Sequence, residues 1–179
     1  SNTTGYANSA FGTGALSNNT EGNESSAFGR GALFSNTTGF NNNAFGNQAL
    51  QRNIDGGGNN AFGNESMFGN VDGWYNVAVG HQSLYYNVSG QGNTAVGVEA
   101  LSSVSGNYNI GVGFETFGTS TATSTSDYNV AIGYQSMFDN TTGGGNIALG
   151  NQSLRANTTG ASNAAVGQFA LLANTTGFS

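Results

Sequence analysis

The stretch Asn76-Val-Ala-Val-Gly80-His-Gln-Ser-Leu84-Tyr-Tyr-Asn87-Val-Ser-Gly90 carries the plan of the whole chain. From Asn76 to Gly80 the side chains alternate as an extended backbone requires: Val77 and Val79 point one way, and Asn76, Ala78 and Gly80 the other. Gly80 is one of ten marker glycines, Gly12, Gly29, Gly46, Gly63, Gly80, Gly97, Gly113, Gly133, Gly150 and Gly167. The spacing is seventeen residues, except for one step shorter by one (to Gly113) and one longer by three (to Gly133). A period of this size marks stacked units that cannot bury their apolar faces alone.

Each column of the repeat has its own chemistry. Two before the marker lies alanine, from Ala10 to Ala165, with Gly111 the one departure. Just before the marker come Phe11, Phe28, Phe45, Phe62, Val79, Val96, Val112, Ile132, Leu149 and Val166. Four after it stand Leu16, Leu33, Leu50, Met67, Leu84, Leu101, Phe117, Met137, Leu154 and Leu171, each preceded by a small residue. The residue four before the marker is Asn8, Asn42, Asn59, Asn76, Asn93, Asn109, Asn129, Asn146 or Asn163, with Ser25 in the second repeat. Stacked in register, this column forms an amide ladder. A second asparagine, seven after the marker, opens a turn closed by glycine, as in Asn36-Thr-Thr-Gly39 and Asn140-Thr-Thr-Gly143.

The pattern predicts two short strands per unit, residues 8–12 and 14–17 in the first, joined by glycine corners. No stretch holds a helical spacing, and glycine at this density disfavours helix. The fold expected is all-β, a parallel β-solenoid or β-roll of about ten rungs, with strands about 4.8 Å apart and a rod roughly 50 Å long. Residues 1–179 read as a single repeat domain. With its ends falling mid-repeat, the chain reads as a segment or subunit of a longer fibre. The apolar supply per rung is thin against the backbone entropy of ordering it. Pooling faces between chains, with the small Ala/Gly face at the contact, leads to the expectation of a homotrimer.

Composition narrows the function classes. Charged residues are 7% of the chain and net charge is −6, with Arg30, Arg52 and Arg155 the only cations besides His81. That balance excludes nucleic acid as a partner. Cysteine is absent, so no disulfide or thiolate site exists. There is no long apolar run for membrane insertion. His81 falls in a column shared with Asn47, Asn64 and Asn151 and reads as a solvated surface residue; a lone histidine forms no nucleophile–base set. Glu65, Glu99 and Glu115 alternate with Gln48, Gln82, Gln135 and Gln152, the mark of an exposed polar column rather than paired catalytic carboxylates. Asp55, Asp72, Asp127 and Asp139 form no metal ladder, so neither metal nor cofactor is expected, and the chain does not read as an enzyme. Gly56-Gly57-Gly58 and Gly143-Gly144-Gly145 are corners without the lysine or helix of a phosphate loop. Asn2, Asn36, Asn87, Asn140, Asn157 and Asn174 are formal glycosylation acceptors that turn chemistry alone would also produce.

Two features are open to recognition. Trp74, Tyr75, Tyr85 and Tyr86 fall outside the apolar columns and offer either edge cover or a surface for a glycan or protein. The insertion within residues 118–127 lacks the asparagine turn and reads as a surface loop or a binding loop.

Units such as Asn42-Asn-Ala-Phe-Gly-Asn-Gln-Ala-Leu-Gln and Asn129-Val-Ala-Ile-Gly-Tyr-Gln-Ser-Met-Phe resemble repeats of bacteriophage tail-fibre-like proteins. They are also similar to the head repeats of YadA-like trimeric autotransporter adhesins, sharing Ala-apolar-Gly followed by a small residue, with a longer period than those heads. The resemblance implies a trimeric extracellular fibre, on a cell or virion surface, presented to host, matrix or another cell. It brings no catalytic residues. The reading is therefore a structural and adhesive spacer, or alternatively a filament subunit stacking head to tail through uncapped rungs.

Overall fold

The computed structural model describes residues 2–118 and 124–178. Among them are ten three-residue strands: β1 Ser9–Phe11, β2 Ser26–Phe28, β3 Asn43–Phe45, β4 Asn60–Phe62, β5 Val77–Val79, β6 Thr94–Val96, β7 Ile110–Val112, β8 Val130–Ile132, β9 Ile147–Leu149 and β10 Ala164–Val166. They form one sheet in sequence order, every pair parallel. The register is that of the repeat, with Ala27 beside Ala44 and Ala44 beside Ala61. The chain is a parallel β-solenoid, and each rung contributes one strand.

The expected second strand, residues 14–17 and its equivalents, is instead a run of tight turns. Ala15 N–H donates to Gly12 C=O at 3.2 Å and Asn19 N–H to Leu16 C=O at 3.3 Å. Residues two and four after the marker have positive φ, for example Gly14 (76°) with Leu16 (50°) and Gln48 (57°) with Leu50 (52°). A positive φ at the third residue is what a type II turn requires. This arm still bonds to both neighbours: Gln48 N–H reaches Arg30 C=O at 2.8 Å and Leu50 N–H reaches Ser66 C=O at 3.0 Å. Leucine enters this conformation at a cost of about 1–2 kcal/mol. Complete burial of Leu50 and its equivalents from Leu33 to Leu154, about 1.5–3 kcal/mol each, offsets it.

A second correction concerns which face is the core. The alanine column (Ala27, Ala44, Ala61, Ala78) is fully buried inside the coil, so it is not available for contact between chains. The branched and aromatic column lies outside: Phe28, Phe62, Val79 and Ile132 are each about 40% exposed. Three-residue strands packed against a narrow turn arm leave room inside only for alanine, one leucine-sized side chain and a small residue per rung. Where the alanine becomes Gly111, the neighbouring interior side chains are large: a Cβ there would come within 2.7 Å of Leu101 and 2.9 Å of Thr116 Oγ1, and Phe117 replaces the usual leucine.

The remaining interior is asparagine. In the column before the strand, Asn76 Oδ1 accepts the backbone N–H of Asn93 at 2.9 Å and its Nδ2 at 3.2 Å. Asn76 Nδ2 in turn donates to Gly90 C=O at 2.8 Å. In the turn column, Asn53 Nδ2 donates to Asn36 Oδ1 (2.8 Å) and Gly56 C=O (2.9 Å), and Asn53 Oδ1 accepts from Asn70 (2.7 Å). Both ladders are buried. The turn ladder stops at Val104, which leaves the buried Asn87 Oδ1 without a partner. Beyond the insertion Ser126 substitutes, its Oγ accepting from Asn140 Nδ2 at 3.1 Å, and the ladder resumes.

The marker glycine is required twice over. Its φ lies between 122° and 148° in all ten rungs. In nine of them a Cβ would stand 2.5–2.9 Å from the carbonyl carbon of the next marker glycine. Gly63→Ala is accordingly expected to cost about 3 kcal/mol or more, combining backbone strain with overpacking, as read by denaturant unfolding. The ladder supplies a second expectation. Asn53→Ala removes a fully paired amide, whereas Asn87→Ala also removes an orphaned acceptor. The first should therefore be the more destabilising by about 1–2 kcal/mol, and equal losses would contradict the assigned ladder.

Candidate functional site

With the core filled by its own side chains, recognition falls to the outer surface, where two features stand out. The first is the outward face of the sheet. Phe11, Phe28, Phe45 and Phe62 stack in register, the last two of the three pairs at 4.8 and 5.0 Å with rings within 5° of parallel. From β5 onward the column turns aliphatic through Val79, Val96, Val112, Ile132 and Leu149. Around β7 and β8 the exposed apolar surface widens to Tyr108 and Tyr128, stacked at 5.3 Å, and to Phe114 and Tyr134 at 5.8 Å. Ten strands at the usual spacing, with side chains projecting about two residues wide, give a stripe of roughly 300–450 Å². A contiguous apolar patch of that size falls within the range of the largest patch on a monomer, and such patches are often functional.

The second feature is a groove of about 440 Å³ lined by Gln82, Tyr85, Tyr86, Glu99, Ser102, Ser103, Glu115, Gly118 and Phe138. It exists because the column five after the marker loses its bulk. That column reads Phe68, Tyr85, Ser102, Gly118, Phe138, Arg155 in successive rungs. Phe68 and Tyr85 stack at 5.1 Å within 6° of parallel, then two small residues leave a two-rung gap before Phe138. Burial, then the Glu65 carboxylate and Tyr86, raise the Tyr85 phenol above its ordinary range, with the Arg52 guanidinium pulling the other way. The phenol stays neutral at physiological pH, a hydrogen-bond donor at the groove wall.

The four aromatics singled out in the sequence do not form one site. Tyr85 and Tyr86 meet edge to face at 4.6 Å and line the groove. Trp74 and Tyr75 contact each other at 5.9 Å and pack over the Gly57–Gly58 corner, Trp74 reaching Phe40 at 5.3 Å. The first pair lines the groove and the second covers the corner. His81 is exposed, its Nδ1 lying 3.1 Å from Asn64 Nδ2 in a polar column. Asn36, Asn87, Asn140 and Asn157 are fully buried with their amides donated inside the turn, which removes them as glycan acceptors in the folded chain. Of the insertion, residues 119–123 lie outside the described residues; Gly118 lines the groove, and Ser124 and Ser126 belong to the core.

The glutamine–glutamate column holds what column-by-column reading passed over. Gln82 Nε2 donates to Glu65 Oε2 at 2.7 Å, Gln135 to Glu115 at 2.7 Å, and Gln152 to Gln135 at 3.2 Å. From Gln48 to Gln152 every step sets an amide residue beside its neighbour except one: Glu99 and Glu115 occupy consecutive rungs. Among the described residues the one ion pair is Arg155–Asp139, so neither carboxylate has a cation. Both line the groove. Two like charges thus face the groove from adjacent rungs with no amide between them.

No protein-family model, curated protein or solved structure matches the chain, and the functional reading stands on this geometry. Glu115→Gln should complete the column, with position 115 donating to Glu99 and accepting from Gln135. Its expected effect is a gain of about 1 kcal/mol in unfolding free energy, and a loss of stability would show that the two carboxylates do not oppose each other.

Proposed function

We propose that the chain is a segment of a structural extracellular fibre on a cell or virion surface. It forms a rigid β-solenoid spacer that self-associates side by side, as a homotrimer, and carries contact surfaces for a host, matrix or neighbouring cell. The observation that carries this reading is the continuous apolar stripe on the outside of the sheet, from Phe11 to Val166, which no other part of the chain covers among the described residues. A monomeric rod has no use for ten aligned apolar side chains facing water, whereas identical rods brought face to face bury them in register. The thin interior adds to the case, since each rung contributes little more than one leucine and two small residues to its own core. Lateral contact thus falls to the branched and aromatic columns, with the small residues enclosed.

The test is solution mass by light scattering across a range of concentrations. A sharp species at three times the 18.1 kDa chain mass is expected. Val96→Asp combined with Ile132→Asp, both on the stripe, should reduce it to the single-chain mass. Thr38→Asp with Thr142→Asp, on an exposed corner, should leave it unchanged. A polydisperse, concentration-dependent mass would favour end-to-end polymerisation instead, and a folded monomer at every concentration would overturn self-association.

A further inference from the structure

We propose that the groove between Tyr85 and Phe138 is a binding site for a guanidinium group, the arginine side chain of a partner protein. Three independent features of the groove converge on a planar cation. Its shape is that of an interrupted ring stack: Tyr85 is covered on one side by Phe68, and the next two places in its column are held by Ser102 and Gly118. A flat group entering there continues the stack against Tyr85. Its charge is set by Glu99 and Glu115, the single carboxylate–carboxylate step in the column, unpaired with any cation among the described residues. A bound cation turns that repulsion into two attractions, and guanidinium has the fork of donors that suits carboxylate oxygens.

The third feature is that the chain already uses this chemistry in the same column. Arg155 occupies the position one rung beyond Phe138, and its guanidinium carbon lies 5.2 Å from the Phe138 ring centre. Arg52, from the adjoining column, lays its guanidinium over Phe68 at 4.8 Å. Arg155 thus stands where other rungs hold a ring, and among the described residues the places of Ser102 and Gly118 leave a gap of the same form with carboxylates beside it. Cation–π attraction and the carboxylates act together, as they do where cations are recognised by aromatic walls. The site does not depend on side-by-side association, because it lies on the turn arm and not on the outer face of the sheet.

The probe is Nα-acetyl-argininamide, titrated into the full chain and followed through the backbone amide resonances of Glu99, Ser102, Ser103 and Glu115. Saturable shifts are expected with a dissociation constant on the order of 1 mM, the scale of a small ligand of this size. The citrulline analogue, equally planar but uncharged, should bind at least tenfold more weakly, and the lysine analogue should be weaker than arginine. Ser102→Tyr, which fills the gap, should abolish the shifts. Glu115→Gln should weaken binding at least fivefold while the fold becomes more stable, a combination that a merely structural role for Glu115 would not produce. Equal binding of citrulline and arginine would overturn the proposal in favour of a neutral ligand. Shifts at the same amides with calcium chloride and none with arginine would overturn it in favour of a metal ion. Shifts that survive Ser102→Tyr would place the arginine elsewhere and overturn it as well.

Discussion

The buried asparagine amides of this protein bond to the rung above or below at nearly every step, and that dependence governs the rest of the structure. A buried amide left unpaired costs more than a paired one gains. The interior therefore favours asparagine where the next rung holds asparagine or a hydroxyl at the same height, as Ser25 does between Asn8 and Asn42. The sequence repeats because the hydrogen bonds do. Where the repeat lapses the structure shows it directly, with a serine hydroxyl at position 126 taking over the acceptor role and the Asn87 oxygen left orphaned beside Val104.

The same dependence frees the outer surface. Because amide ladders and a narrow column of alanine and leucine fill the interior, the outward side chains are released from packing inside the coil. They vary along the rod: phenylalanine with serine or asparagine in the early rungs, valine and isoleucine in the later ones, tyrosine at the edges. The groove arises within that freedom. Small residues at Ser102 and Gly118 remove two rings from a surface stack without disturbing the buried columns beneath.

Much of this was legible in the sequence. The seventeen-residue spacing, the period-two segment around Ala78 and the asparagine columns led directly to a parallel solenoid with stacked amides, and the structure has both. The turn arm was misread for a physical reason. Left-handed positions are normally flagged by glycine or asparagine, but here Leu50, Met67 and Phe117 adopt them, and alternating small and apolar residues in a chain of tight turns mimic the alternation of a strand. The direction of the faces was equally hidden: Val77 and Val79 have the composition of a core, and only the width of the coil shows that Ala78 is the side chain that fits inside. Of the candidate aromatics, Tyr85 and Tyr86 could be picked from composition. Their partners Glu99 and Glu115 could not be separated from the rest of their column until consecutive rungs were set one on another.

The buried ladders also share a sense. In the turn column Asn36 donates to Asn19, Asn53 to Asn36 and Asn70 to Asn53, and in the strand column Asn93 donates to Asn76 and Asn163 to Asn146, always toward the earlier rung. The rod is consequently a vector, with amide hydrogens facing one way along its axis and carbonyl oxygens the other. Two such rods meeting tail to tail would set acceptor against acceptor. Any continuation of these columns from one rod into another must keep both arrows pointing the same way, so an assembly made through them would inherit the polarity of the single rod.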